Sequence, residues 1–192
     1  MFRVLLIASC LSFACLLAAF DTHSIEIGVS ADLVGWQRTT IDVFDDGREQ
    51  FRTAPGGAFY AELMRKLSQS VHLGPGLEYQ GERRIEQPGE DGRFHFLIIY
   101  FASRVNLPVN STFACELLLN MGLNILKGND AYMNGETVNG GYSVSFGCGV
   151  SLSEVTLSCL YCMNRGTFAT HGFLFRSSLQ QENWKLRLGY RF

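Results

Sequence analysis

Cys159 and Cys162 form a CxxC sequence, an arrangement that in other proteins binds metal ions or performs thiol–disulfide chemistry. The surrounding residues alternate between apolar and small or polar types, which predicts a β-strand. Side chains three positions apart on a strand point to opposite faces, so these two thiols would diverge. The pattern therefore predicts neither a metal site nor a redox site here. Cys148 and Cys159 could still be neighbours across a tight turn, which leaves a disulfide between them open.

The histidines are the other candidates for acid–base or metal chemistry, and the chain has four: His23, His72, His95 and His171. None stands in a recognisable arrangement with a serine and a carboxylate, which hydrolytic chemistry needs. We therefore expect no enzyme activity, no catalytic residue and no cofactor. Hydrolytic chemistry stays a minor alternative, which a serine–histidine pair held in fixed geometry would revive.

Composition narrows the class of protein. Hydrophobic residues make up 47% of the 192 residues and charged residues only 18%, against about 25% in an average globular protein. The net charge of −2 gives no basic footprint for nucleic acid. Twenty glycines and four prolines favour strands with many bends over long helices. The length suits a single folded domain.

The N-terminus has the features of a secretory signal peptide. Arg3 precedes a nearly unbroken apolar stretch from Val4 to Ala19, and small residues stand near its end. We predict a signal peptide over residues 1–19 and a mature domain over residues 20–192. A membrane-anchoring helix is less consistent with so short a run. A lipoprotein signal ending at Cys10 comes too early to leave an apolar region before it.

Eight segments of the mature chain alternate with period two, which predicts eight β-strands. One face of each is apolar and the other is small, polar or charged. In the fourth segment both faces are apolar, and we place Leu97, Ile99, Phe101 and Val105 on the outer one. The segments span residues 24–34, 58–67, 71–80, 93–106, 112–125, 142–152, 155–163 and 184–192.

The connections between these segments alternate strictly between short and long. The long ones cover residues 35–56, 82–92, 127–139 and 165–181. Transmembrane barrels have short periplasmic turns and long extracellular loops, whereas a soluble sandwich has no reason to sort its loops in this way. We predict an all-β fold, an eight-stranded antiparallel up-and-down transmembrane β-barrel whose apolar face meets lipid. A soluble sandwich with the apolar side as its core is the alternative.

The chain resembles the small outer-membrane barrels of the outer-membrane protein X, A (membrane domain) and W type. The resemblance rests on the signal peptide, on strands punctuated by glycine such as "HLGPGLEYQ", and on the ending "LRLGYRF". It implies a bacterial outer-membrane location with both termini periplasmic. It also implies that Leu188, Tyr190 and Phe192 form the signal that the outer-membrane assembly machinery reads.

A barrel of eight strands has an interior just wide enough for side chains to fill. Its inward charges nearly balance, which predicts a plug of ion pairs and no wide pore. Closure of the first strand on the last would set Arg191 near Glu26, with Arg187 and Lys185 toward Asp32, so that Asp32→Lys should partly rescue Arg187→Glu. The predicted lumen charges are Glu26, Asp32, Glu62, Lys66, Glu78, Glu116, Lys185, Arg187 and Arg191. Aromatic residues predicted at the membrane interfaces are Tyr79, Tyr142, Tyr161, Trp184 and Tyr190.

Two of the long connections contain hairpin sequences, Asp46–Gly47 and Asn134–Gly135. They suggest that strands 1 and 2, and strands 5 and 6, continue as ribbons above the membrane. Loops on a rigid scaffold often carry binding, so the four long connections are the surface that extracellular molecules would meet. We expect surface binding or adhesion, or an envelope-structural role, with outer-membrane lipid as the surroundings. A narrow channel for small or hydrophobic solutes is the second interpretation. The resemblance also allows a lipid A-modifying enzyme, which is the third and least favoured interpretation.

Overall fold

The structure is a computed structural model that describes residues 23–41, 48–86, 91–133, 136–170 and 176–192. The predicted signal peptide and the two hairpin sequences Asp46–Gly47 and Asn134–Gly135 lie outside the described residues.

Nine strands and one short helix make up the described chain. The strands are β1 (His23–Ile41), β2 (Arg48–Thr53), β3 (Gly57–Lys66), β4 (Val71–Arg84), β5 (Arg93–Pro108), β6 (Phe113–Gly128), β7 (Glu136–Leu152), β8 (Val155–Thr170) and β9 (Arg176–Arg191). The helix α1 covers Asp130–Met133.

The sheet closes into an eight-stranded antiparallel barrel, as the sequence predicts. Each strand pairs with the next, and β1 pairs with β9 along nearly its whole length. The ninth strand arises because the second barrel strand is interrupted: β2 and β3 both pair with β1, one above the other, and Pro55 lies between them. A proline has no N–H to donate to a sheet, so an interruption at this residue is expected.

The two faces of the wall have the polarity of a membrane barrel. Large apolar side chains are exposed on the outside, for example Ile27 at 53% and Leu123 at 59%, while Glu26 and Arg187 are 2% and 1% exposed inside. The register predicted for the fourth segment is correct, because Leu97, Ile99 and Phe101 alternate with buried Phe96, Ile98 and Tyr100. None of the helices in the described residues has the length and apolar character needed to span a membrane.

The connections differ between the two ends of the barrel. At one end they are short, covering residues 67–70, 109–112 and 153–154. At the other end the strands run on, so that much of the four predicted long connections is strand. We call this the ribbon end.

The ribbon predicted for strands 1 and 2 is present, because Gly35–Thr40 of β1 pairs with Arg48–Thr53 of β2. The described residues of β6 and β7 do not form the ribbon predicted for strands 5 and 6. Pairing between β6 and β7 ends at Leu123 and Tyr142. Above that point β6 pairs only with β5, and β7 only with β8.

Candidate functional site

We call the part of the barrel next to the short connections the lower barrel, so that the ribbon end is at the top. The interior of the lower barrel centres on Arg104, which projects inward from β5. Its guanidinium donates hydrogen bonds to Glu26 and to Glu62, the latter at 2.9 Å, and lies 3.6 Å from Glu116. Arg191 bridges two of the same carboxylates, at 3.1 Å from Glu26 and 2.9 Å from Glu116. Three acids from three strands therefore share two cations.

Arg187 occupies the middle of the interior. It is 2.9 Å from Glu62 and donates a 2.8 Å hydrogen bond to the hydroxyl of Tyr100. Its guanidinium carbon lies 3.5 Å from the centre of the Tyr60 ring, a cation–π contact. Lys185, one layer higher, is ion-paired with Glu78.

Glycines make room for these large side chains. The Tyr60 hydroxyl donates a 3.0 Å hydrogen bond to Glu26, and its ring lies where a Cβ on Gly28 would be. In the same way a Cβ on Gly76 would overlap the ring of Tyr100. The glycine-punctuated strands therefore supply the space that lets aromatic rings cross the interior.

Asp32 and Arg83 form the uppermost ion pair, and both are buried. Asn183 also donates a hydrogen bond to Asp32, and Arg83 donates one of 2.5 Å to Gln80. Among the described residues, the interior ion pairs join five acids and five bases: Glu26, Asp32, Glu62, Glu78 and Glu116 with Arg83, Arg104, Lys185, Arg187 and Arg191.

The backbone register of β1 and β9 is as predicted, with Glu26 opposite Arg191 and Asp32 opposite Lys185. The expected ion pairs above that level are wrong. Lys185 and Arg187 pair with carboxylates of β3 and β4, while Asp32 pairs with Arg83. Long side chains reach across the interior instead of to the adjacent strand, so Asp32→Lys is not expected to rescue Arg187→Glu.

One predicted lumen charge lies elsewhere, and two interior cations were not predicted. Lys66 is at the end of β3, where it is exposed and takes no part in the buried ion pairs of the described residues. Arg104 lies on the strand with two apolar faces, where period two gives a weak signal. Arg83 follows an irregularity in the register of β4 and β5, which turns it inward from a predicted loop.

An aromatic and aliphatic cluster fills the interior on the β5 and β6 side toward the ribbon end. It includes Phe94, Phe96, Leu126, Tyr132 and Leu179, all buried. Tyr132 comes from α1 and donates a 3.3 Å hydrogen bond to Gln37 on β1, which ties the helix to the opposite wall. A cavity of about 10 Å³ between Glu78, Ser145 and Lys185 has room for roughly one water molecule.

The aromatic residues predicted for the membrane interfaces all lie on the outer face of the wall. Tyr79, Tyr142, Trp184 and Tyr190 are exposed and Tyr161 is half-buried. The rings of Tyr161 and Trp184 are 5.3 Å apart on neighbouring strands.

The three residues of the predicted assembly signal also point outward. Leu188 and Tyr190 alternate with buried Arg187 and Gly189, and Phe192 follows them at the chain end. The rings of Tyr190 and Phe192 are 4.9 Å apart.

The cysteines take the places that strand geometry predicts. Cys159 faces outward and Cys162 is buried inside. Cys148 and Cys159 are opposite each other across β7 and β8, and both thiols are free. Among the described residues no group of three potential metal ligands comes together.

At the ribbon end an exposed group of charges joins β4 to the start of β5. Arg93 contacts Asp91 at 2.7 Å and Glu82 at 3.1 Å, and Arg84 contacts Asp91 at 2.8 Å. These hydrogen bonds hold the pKa of the Asp91 carboxyl below its ordinary range, and they raise that of the Arg93 guanidinium.

Where β6 and β7 part, the side chain of Asn124 replaces the missing backbone bonds. Its amide nitrogen donates to the carbonyls of Tyr142 and Arg165, each at 2.9 Å. Its amide oxygen accepts a 3.1 Å hydrogen bond from the backbone N–H of Gly141. One buried side chain therefore satisfies three backbone groups at this split.

Comparison with known proteins supports the fold. No protein-family model and no curated protein matches the sequence. The structure is similar to the outer membrane protein OprG from Pseudomonas aeruginosa, with a TM-score of 0.56 and 9% sequence identity over 88% of this chain and 95% of that one. It is also similar to Neisserial surface protein A, with a TM-score of 0.50 and 12% identity over 90% of this chain and 100% of that one. The chain has the fold of the small outer-membrane β-barrels.

Proposed function

We propose that this chain is an integral protein of a bacterial outer membrane, in which a plugged barrel supports a binding surface at its ribbon end. The observation that carries the proposal is the polarity of the wall. Apolar side chains form the exposed face, and in the part of the chain that the structure describes ten charged side chains lie inside in ion pairs. Such a surface is stable in lipid and would aggregate in water.

The interior favours a supporting role over transport. Arg104 and Arg187 cross the lower and middle lumen, and the cluster around Phe96 fills part of the space above. Removing one partner of a buried ion pair leaves an uncompensated buried charge, which is strongly destabilising. These contacts therefore hold the interior side chains in place. We infer a non-conducting barrel without catalytic function, whose strands extend at the ribbon end to meet molecules outside the cell.

The ribbon end is placed outside the cell because short turns lie on the periplasmic side of known barrels. This puts both termini in the periplasm. An epitope tag at Gly89, in a long connection, should then bind antibody on intact cells, whereas a tag at Gln69, in a short turn, should not. Antibody binding at Gln69 alone would invert the proposed orientation.

Two measurements test the proposal as a whole. The protein should fractionate with the outer membrane and should migrate differently on gels before and after heating, as folded barrels do. The purified barrel in planar bilayers should show no stable conductance. A stable open conductance would decide for the narrow-channel interpretation, and recovery in the soluble fraction would overturn the membrane assignment.

We also propose that Leu188, Tyr190 and Phe192 are the signal for assembly into the membrane. Deletion of Phe192 should leave synthesis unchanged and cause the protein to accumulate in the periplasm and be degraded. Substitution of Val109, another exposed apolar residue in a short turn, by Ser is the control. Normal amounts of heat-modifiable barrel in the deletion strain would contradict the role of the terminal aromatic.

A further inference from the structure

Four cysteines lie in the described part of the chain, and three of them face outward on three neighbouring strands. Cys115 is on β6, Cys148 on β7 and Cys159 on β8. The fourth, Cys162, is buried inside the barrel. The ion pairs of the interior use none of these thiols. Strand register decides which of them are able to react with one another.

Cys148 and Cys159 lie directly opposite each other in the antiparallel ladder of β7 and β8. The Cα atoms of such opposed residues are about 4.5–5.5 Å apart, and those of a disulfide are about 4.4–6.8 Å apart. The register has no shift from Ser143, opposite Asn164, down to the tight turn that joins the two strands. The ladder above and below therefore fixes the two cysteines at a distance that suits a disulfide.

The other pairings are excluded by distance or by the barrel wall. Cys115 is opposite Val150, two residues from Cys148, which makes Cys115 and Cys148 diagonal neighbours. Diagonal neighbours are about 7–8 Å apart, beyond the roughly 7 Å limit for a disulfide without backbone movement. Cys115 and Cys159 are separated by the whole of β7. Cys162 is on the inner face of the wall, away from the other three.

We propose that Cys148 and Cys159 are a thiol pair that is oxidised to a cross-strand disulfide during export. The inference rests on the proposed function, because a protein of the outer membrane passes through the bacterial periplasm, where disulfides form and persist. The two residues are close in sequence as well as in space. They therefore close only a short loop, which has a small entropic cost.

The oxidant is the disulfide of a periplasmic thiol oxidoreductase. One of the two cysteine thiols loses its proton, and its sulfur attacks that disulfide, which breaks the S–S bond and leaves a mixed disulfide and one thiolate. The sulfur of the other cysteine, also deprotonated, then attacks the first cysteine sulfur. The bond between Cys148 and Cys159 forms as the second thiolate leaves. The two cysteines lose two electrons and two protons, and the oxidoreductase gains them as two thiols.

The outward direction of both side chains sets the order of events. In the inserted barrel this face meets lipid, which excludes a protein oxidant and strongly disfavours polar or charged reductants. The bond therefore forms before insertion and is shielded from reduction afterwards. It links β7 covalently to β8, the strand that pairs with β9 and so lies next to the proposed assembly signal.

Mass mapping of the full-length protein tests the pairing. Cells are quenched in acid, thiols are alkylated with maleimide under denaturing conditions, and the purified chain is cleaved after glutamate. Glu154 lies between the two cysteines, so cleavage there leaves two fragments. In the wild type these fragments should stay linked until a reductant is added, while Cys115 carries maleimide. Alkylation of both Cys148 and Cys159 without prior reduction, or a link that includes Cys115, would overturn the proposal.

Two variants form a matched pair, since no glutamate separates Cys159 from Cys162 and both lie on one fragment. Cys159→Ser should abolish the linked fragments, whereas Cys162→Ser should leave them. The reverse result would place the bond at Cys162 and refute the pairing. Gel mobility before and after heating shows whether each variant is folded. If a variant is not, the sites of maleimide in the wild type, read by fragmentation of the peptides, decide between Cys159 and Cys162.

Fractionation of the same cells separates this inference from the proposed function. A folded barrel in the outer membrane whose Cys148 and Cys159 are both free would refute the disulfide and leave the proposed function intact. Recovery of the chain in the soluble fraction would overturn both.

Discussion

The lower barrel and the ribbon end close their walls by different means. In the lower barrel every strand is paired with both neighbours, and side chains such as Arg104 have only to fill the interior. At the ribbon end β6 and β7 separate, and Asn124 takes over the bonds that the backbone ladder no longer makes. The same wall is thus held by many redundant backbone bonds below and by one side chain at the split above.

This difference assigns different costs to similar substitutions. In the lower barrel, a substitution leaves buried charges without partners, and the loss of stability is electrostatic. At the ribbon end, a substitution leaves backbone groups without partners, and the loss of stability comes from local hydrogen bonds. The following predictions use this contrast, beginning with the largest effect.

Arg104→Met should destabilise the barrel by about 3–5 kcal/mol, because it leaves Glu26, Glu62 and Glu116 close together with one fewer cation. The free energy of unfolding in lipid vesicles, followed by tryptophan fluorescence in denaturant, measures this. Arg104→Lys keeps the positive charge but lacks the forked N–H donors, so its free energy of unfolding should lie between those of the wild type and Arg104→Met.

The matched control is Lys66→Met, which removes an exposed cation at the same end of the barrel and should change stability by less than about 0.5 kcal/mol. A similarly small effect for Arg104→Met would mean that the ion-pair plug does not hold the lower barrel together.

Asn124→Ala should destabilise the ribbon end by about 2 kcal/mol, since three backbone partners lose a hydrogen bond and the split admits water. Amide hydrogen exchange should speed up at Gly141 and remain slow in the lower parts of β6 and β7. Asn120→Ala, whose side chain donates one hydrogen bond to Ser145, provides the comparison. Uniformly faster exchange along both strands would show that the two regions unfold together.

Which side chains of the barrel wall face lipid and which face the interior could be predicted from the sequence, for a physical reason. A strand that separates lipid from a polar interior must alternate, so period two directly reports which side chain faces which way. It also predicted the register of β1 against β9, because antiparallel closure leaves few ways to oppose Glu26 and Arg191.

Ion-pair partners across the interior could not be read from the same pattern. They depend on strand tilt and on how far a long side chain reaches, which is why Arg187 meets Glu62 and Arg83 meets Asp32. The inward direction of Arg83 also depends on a shift in register between β4 and β5, which the alternating pattern of the sequence does not reveal. The split between β6 and β7 was missed because Asn134–Gly135 suggested a simple hairpin.

The smallest expected effect concerns the exposed charges around Asp91 at the ribbon end. Hydrogen bonds from Arg93, and the nearby positive charge of Arg84 and Arg93, lower the pKa of the Asp91 carboxyl below its ordinary value of 3.8. A carboxyl whose pKa is depressed on folding contributes stability that is fully present above pH 3.8 and is lost as the pH falls through the lower, folded value. The joint between β4 and β5 should therefore keep its structure from neutral pH down to about that point and loosen only in stronger acid.

An NMR titration of the Asp91 carboxyl carbon should give a midpoint below 3.8, and Arg93→Gln should move it back toward that value. His95→Gln, which alters a neighbouring side chain without touching these ion pairs, should leave the midpoint where it is. A wild-type midpoint at or above 3.8 would show that these exposed ion pairs add no stability to the joint between β4 and β5.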